Sequence, residues 1–226
     1  MNINDRKFFT ARIWSNDELK KIAHLFEGKI CNVSAWEDKD KQGKTYKEYF
    51  TNASLYSITN FYQKSARGSQ GNIENEIIVN LTDDLRPELD SKFNVVFNHT
   101  TLEHIFECSK AFENLCKMSD DIVIVVVPFL QETHGNYGDY WRFTPQGIDY
   151  LFKSNGMETI YLSYNDSSKD SIYIFAVGTK KPDKWSSIKT TDGNMLADIY
   201  TNHAGTKIIK DGHLFKLRKF LSKIRA

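Results

Sequence analysis

Apolar positions at Leu19, Ile22, Ala23 and Phe26 recur at helical spacing, and they predict a helix over Ser15 to Phe26. Ser15 and Glu18 stand as its capping box and Gly28 as its terminator. A short apolar run, Lys29 to Ala35, predicts a strand. The charged stretch Glu37 to Lys44 reads as a loop and Tyr46 to Phe50 as a short helix. Leu55 to Thr59 and Glu76 to Leu81 are the next β-rich runs, separated by the flexible Gly68-Ser69-Gln70-Gly71. Phe93 to Phe97 is a fourth strand. It leads into a helix opened by Thr100 and Glu103 as a second capping box, with Leu102, Ile105, Phe106, Phe112 and Leu115 inward.

Ile122 to Val127 is apolar on both faces, as a strand covered by helices on either side must be, and Pro128 is expected to end it. Thr144-Pro145 gives an N-cap and a first-turn proline for a helix that buries Ile148, Leu151 and Phe152 and stops at Gly156. Glu158 to Leu162 and Ser171 to Val177 close the pattern as an antiparallel pair. Strands alternating with helices imply an α/β, doubly wound, mostly parallel seven-stranded sheet with helices on both faces. Such sheets bind ligands at the carboxyl ends of their strands, which singles out the loops at 35–38, 60, 80–83, 98–101 and 128–143.

The chain has 226 residues, enough for one domain of residues 1–180 and an extension over 181–226. Its last twenty residues carry seven Lys and Arg against Asp211 alone, with Leu214, Leu217, Leu221 and Ile224 at helical spacing. That basic amphipathic helix suits a peripheral contact with an anionic membrane, a homo-oligomer contact, or docking on its own domain. The formal charge of the whole chain is +1, so no general field attracts nucleic acid. Residues 1–7 lack the apolar core of a signal peptide, and the aliphatic run 122–127 is too short to span a bilayer. A cytoplasmic protein is expected, peripheral at the inner membrane face if the tail binds lipid. Cys31, Cys108 and Cys116 lie in apolar patterns and read as reduced core thiols, and no ligand spacing points to a metal.

The segments FNVVFNHTTLEHIF, DDIVIVVVPF and HGNYGDYWRFTPQGIDYLF, from Phe93 to Phe152, resemble the small class I S-adenosylmethionine-dependent methyltransferases associated with surface polysaccharide and cell-envelope biosynthesis. Weaker similarity runs from Lys29 to Gly178. The resemblance implies the Rossmann-like methyltransferase fold, S-adenosylmethionine as cofactor, and O-methylation of a small-molecule or glycan acceptor, such as a sugar or sugar-linked phosphate. It places cofactor contacts at Asn32, Ser34, Ala35, Trp36, Asp38, Asn60, Asn80, Leu81, Asn98, His99 and Thr100. This chain departs from the family at three of them. Ser34, Trp36 and Asp38 stand where the family's Gly-x-Gly-x-Gly brings bare backbone to the cofactor. Thr59 or Asn60 replaces the acidic residue that takes the ribose hydroxyls, and Asn80 replaces the adenine-binding Asp.

His134 or Asp139 would be the general base for an O-methylation, and Arg142 would hold a phosphate or carboxylate on the acceptor. The competing reading pairs Asp139 with Arg142 structurally, over Trp141 and Phe143. Glu103 is sufficiently explained as a capping partner and His104 as a packing residue. Because the glycines are missing, the alternative function is a binding or scaffolding protein that has kept the fold and lost the cofactor.

Overall fold

The computed structural model describes residues 3–62, 68–69, 71, 73–135, 138–165, 170–186 and 188. Seven strands form one sheet: β1 Gly28–Val33, β2 Ala53–Asn60, β3 Glu76–Ile78, β4 Phe93–His99, β5 Ser119–Leu130, β6 Glu158–Tyr164 and β7 Ile172–Thr179. Their order is β3-β2-β1-β4-β5-β7-β6, parallel except for β7, which runs antiparallel to both β5 and β6. The order reverses between β1 and β4, and a crevice opens there above the strand ends.

Alternation along the strands sorts the core into two layers. Val96, Val123, Val125 and Val127 face α2 (Cys108–Met118) and α3 (Pro145–Ser154), where they meet Phe112, Leu115, Ile148 and Phe152. Val95, Phe97, Ile122, Ile124 and Val126 face the other way, onto Ala11, Leu19 and Ile22 of α1 (Ile3–Ile22). The doubly wound sheet with helices on both faces is therefore present. The cysteines are free and buried. Among the described residues no helix is long and apolar enough to cross a membrane. The basic stretch 207–225 lies outside the described residues.

Several boundaries differ from the sequence expectation. First, α1 starts well before Ser15, so no capping box forms there. Ser15 Oγ instead bonds Arg12 O at 2.8 Å, and the Glu18 carboxylate accepts from Tyr161 and Ser163 on β6. Second, no α-helix opens at Thr100: a 3-10 turn, Leu102–His104, is followed by α2 from Cys108, and its N-cap makes no side-chain bond. Third, Pro128 lies inside β5. The β4 ladder ends at His99↔Val126, so beyond it a residue without N–H costs the sheet nothing on that edge. β3 also ends early, at Ile78, because the chain turns into the Asn80 loop. α3 matches the expectation: Thr144 Oγ1 accepts from Gly147 N at 3.0 Å, and Pro145 fills the first turn.

Just past Lys181 the described residues still pack on this domain. A 3-10 turn, Pro182–Trp185, sets the Trp185 ring edge-on to Phe26 at 5.3 Å, and its Nε1 donates to the Asp121 carboxylate.

Candidate functional site

The crevice above β1, β2, β3 and β4 is a cleft of about 710 Å³. Its floor begins at the loop leaving β1. There Ser34, Trp36 and Asp38 have φ of 59°, 53° and 56°. Side chains other than glycine adopt this left-handed region at a cost of roughly 1–2 kcal/mol per residue. Every second residue takes it here, at the three positions the methyltransferase resemblance assigns to glycine. Hydrogen bonds from neighbouring strands hold them: Ser34 N donates to Thr59 Oγ1 at 3.1 Å and Trp36 N to Asn60 Oδ1 at 2.6 Å. Asp38 N donates to Ala35 O at 2.9 Å.

Nine of the expected cofactor residues line the cleft: Asn32, Ser34, Ala35, Trp36, Asn60, Asn80, Leu81, His99 and Thr100. Asp38 and Asn98 do not. The Asp38 carboxylate is buried beneath the loop, accepting from Asn32 Nδ2 and Tyr56 OH at 2.7 Å each and from Lys47 N at 3.1 Å. Burial raises its pKa against those bonds. It shapes the loop rather than meeting a cofactor amino group. Asn98 is fully buried and ties β4 to β1 through Nδ2 to Val33 O at 2.9 Å.

Two of the lining amides are engaged with their own loops. Asn60 Nδ2 donates to Trp36 O at 2.9 Å and Glu76 Oε1 at 2.6 Å. Asn80 Oδ1 accepts from Thr82 N and Oγ1, while its Nδ2 donates to Asp83 at 2.8 Å. Neither replaces the missing carboxylate as a hydrogen-bonding partner; both fix backbone. Val79, Leu81 and Phe61 supply an apolar wall beside them.

On the β4 side a closed chain of bonds positions His99. Arg12 Nη2 donates to Thr100 Oγ1 at 2.8 Å, and that hydroxyl lies 3.1 Å from His99 Nδ1. Ser15 Oγ, whose proton goes to Arg12 O, accepts from His99 Nε2 at 2.9 Å, so in the neutral ring Nδ1 is the acceptor and the Thr100 hydroxyl donates to it. Burial, with the Arg12 charge, holds the His99 pKa well below the usual histidine range, so the ring is neutral. Tyr46 stacks on it at 5.5 Å.

The proposed catalytic trio His134, Asp139 and Arg142 lies on the loop after β5 and does not line the cleft. Asp139 accepts both Arg142 terminal nitrogens, at 2.6 and 2.8 Å, and also His134 N at 2.8 Å. The Arg142 bonds pull the Asp139 pKa down to about 2, a poor proton acceptor at neutral pH. Arg142 also bonds Gln131 O and Glu132 O. The pair braces a loop that Tyr140 N and Trp141 N fasten to Glu103 O, at 2.8 and 3.3 Å. This is the structural pairing the sequence left open.

What that loop delivers to the cleft is Tyr140, beside His104, Ile105 and Phe106. Gly138, at φ 107°, permits it: a Cβ there would sit 2.6 Å from the Tyr140 ring. The Gly138 carbonyl accepts from His104 Nδ1 at 2.5 Å, which leaves the lone pair of the neutral ring on Nε2. Burial lowers the His104 pKa and keeps that lone pair. Arg12, Tyr46, His104 and Phe106 are among the lining residues that sequence reasoning missed. The Leu-Glu-His signature was visible, but it was read as cap and packing.

Comparisons with known proteins fit this architecture. No family model and no curated protein matches the sequence. Magnesium protoporphyrin IX methyltransferase from Synechocystis PCC 6803, solved with bound S-adenosylmethionine, aligns over 80% of this chain and 85% of its own, with TM-score 0.56 and 12% identity. The 1,6-didemethyltoxoflavin-N1-methyltransferase of Burkholderia thailandensis aligns over 78% and 82%, with TM-score 0.54 and 10% identity. A [4+2]-cyclase aligns over 73% and 80%, with TM-score 0.52 and 12% identity. At such identities the likeness is one of architecture, and the architecture is the class I S-adenosylmethionine-dependent methyltransferase fold.

Proposed function

We propose that this chain binds S-adenosylmethionine in the cleft and transfers its methyl group to a hydroxyl acceptor. The observation that carries the reading is the alternate left-handed backbone at Ser34, Trp36 and Asp38 beside a cavity of about 710 Å³. Hydrogen bonds from Thr59, Asn60 and the buried Asp38 carboxylate hold this strained backbone, and strain held by its surroundings is a mark of ligand-binding loops. The volume is in the range of small-molecule sites, roughly 300–1,000 Å³. Structural neighbours that hold S-adenosylmethionine or S-adenosylhomocysteine support the same cofactor here.

The residues present fit that cofactor. Residues 34–36, whose N–H groups are already bonded to Thr59 and Asn60, would meet its amino-acid and ribose parts by close approach, and Val79, Leu81 and Phe61 would flank the base. When bound, the cofactor supplies a methyl group already activated by its positive sulfur. The chain's part is therefore mainly to position the acceptor. The acceptor belongs on the side of His104, Tyr140 and Phe106. Phe106 and Tyr140 are 63% and 53% exposed and meet edge to face at 5.5 Å, an aromatic rim on which the C–H face of a sugar packs. A sugar or sugar-linked phosphate is the acceptor class we favour. His104 offers there a ring nitrogen with a lone pair.

A second reading, a binding protein that has lost the cofactor, draws on the Asn60 and Asn80 amides, both consumed by their own loops. Thermal melting with S-adenosylhomocysteine separates the two. At a hundred times its dissociation constant a specific ligand adds about 2.7 kcal/mol, which for this chain length raises the midpoint by roughly 5–10 °C. No shift at millimolar ligand would favour the cofactor-free binder.

A further inference from the structure

Glu103 is wholly buried on the 3-10 turn after β4, and neither of its carboxylate oxygens has a hydrogen-bond partner. A buried, unpartnered carboxylate costs several kcal/mol if ionised. The fold nevertheless sets two imidazoles against it. Glu103, His104 and His134 each offer one ligand atom, and the three atoms lie within 4.8 Å of one another. His104 Nε2 is 3.8 Å from Glu103 Oε1, and the two histidine rings meet edge to face at 5.0 Å.

We propose that Glu103, His104 and His134 form a binding site for one divalent transition cation, Zn²⁺ or Mn²⁺ in type. Two imidazoles with one carboxylate suit borderline ions, and three protein ligands leave at least one coordination position open. Ligand atoms around such an ion stand about 3.3 Å apart, so the side chains close in by an ångström or so on binding. His104 already has the supporting contact that metal-binding imidazoles use, Nδ1 donating to the Gly138 carbonyl, while His134 Nδ1 lies 3.5 Å from the Asp139 carboxylate, close enough to gain a hydrogen bond with a small shift. Arg142, the nearer competing charge on that loop, is neutralised by Asp139 in two bonds, and Arg12 is directed onto Thr100.

This explains an arrangement that methyl transfer alone does not require: an orphaned carboxylate, and an arginine–aspartate brace whose loop carries the third ligand. His104 lines the cleft, so the open position borders the acceptor side. A hydroxyl held at that open position would ionise at lower pH and lose its proton to solvent, and its oxygen would bond the methyl carbon as the cofactor's S–CH3 bond breaks, leaving S-adenosylhomocysteine. That role rests on the methyl-transfer reading; the binding of the cation does not.

The test uses the full, tag-free chain, stripped with a chelator and then dialysed separately against Zn²⁺, Mn²⁺ and Mg²⁺. We expect one equivalent of Zn²⁺ or Mn²⁺ per chain, and Co²⁺ substitution giving visible d–d bands. Glu103→Gln and His134→Gln should each weaken binding about 100-fold or more, with melting midpoints measured in chelator serving as the folding control. Should either variant unfold, His104→Gln carries the same expectation. Absence of stoichiometric metal on the parent chain, or equal binding by folded variants, overturns the proposal. S-adenosylhomocysteine binding is measured in parallel in chelator. Metal without that ligand would sink methyl transfer and keep this site, and that ligand without metal would do the reverse.

Discussion

Asn60, at the end of β2, clamps the backbone of Trp36 from both sides: its Oδ1 accepts from Trp36 N at 2.6 Å, and its Nδ2 donates to Trp36 O at 2.9 Å. A side chain occupies the place of the usual ribose ligand and spends its hydrogen bonds holding a neighbouring residue left-handed. Asn60→Ala removes both bonds and one from Glu76, so we expect a loss of about 1–3 kcal/mol in denaturant unfolding. S-adenosylhomocysteine affinity should fall about tenfold as the loop relaxes. Asn60→Asp, which keeps only the acceptor, should fall between the two proteins in both measurements.

Trp36 is the largest side chain at the three positions where the family keeps glycine, and it lines the cleft. Trp36→Gly removes the left-handed penalty of about 1–2 kcal/mol and widens the cleft without disturbing the bonds that Asn60 makes to the backbone. Tighter S-adenosylhomocysteine binding by calorimetry, with an unchanged or slightly raised melting midpoint, is expected. Weaker binding would mean that the indole itself packs on the ligand.

Asp139 and Arg142 spend their hydrogen bonds on each other and on the backbone of their own loop. The pair is nearly buried at Asp139, whose side chain is 4% exposed, so Asp139→Asn leaves the Arg142 guanidinium and His134 N–H poorly matched. We expect a cost of about 1–3 kcal/mol, read as a fall in melting midpoint of several degrees, and near-native S-adenosylhomocysteine affinity. A variant as stable as the parent would remove the brace from the account.

His99 gives the protein a defined response to acid. Burial among Phe97, Tyr46 and the Arg12 guanidinium keeps the folded ring neutral, while the unfolded ring takes a proton near the ordinary histidine value of about 6.5. The unfolded state therefore binds more protons below that pH, and stability present above it is lost as pH falls. Melting midpoints of the parent should drop between about pH 7.5 and 5.5, the range around that ordinary value. His99→Gln should show a smaller drop over the same range, and parallel curves would contradict the assignment.

The parts of the fold that rest on apolar period and turn chemistry were legible in the chain. β5 reads as a central strand because both its faces are covered, and Thr144-Pro145 announces α3 because cap and first-turn proline are local effects. The first half of α1 was not legible: its described polar residues serve the tertiary structure, as Arg12 does on Thr100 and Glu18 does on Tyr161 and Ser163. Pro128 was read as a strand end because nothing local says that β4 stops at His99. The left-handed loop left no glycine to announce it. The Glu103, His104 and His134 group joins residues thirty apart, so neither a spacing rule nor a periodicity could reveal it.

The central claim is that the cleft over β1 to β4 admits a sulfonium nucleoside although side chains occupy the glycine positions. Amide hydrogen exchange with and without S-adenosylhomocysteine tests it residue by residue. The account predicts slowed exchange in the loop 32–38, at 59–61 and at 79–82, the segments that line the cleft or hold its floor. Unchanged exchange in all three segments at saturating ligand, or protection confined to another face of the sheet, would contradict it.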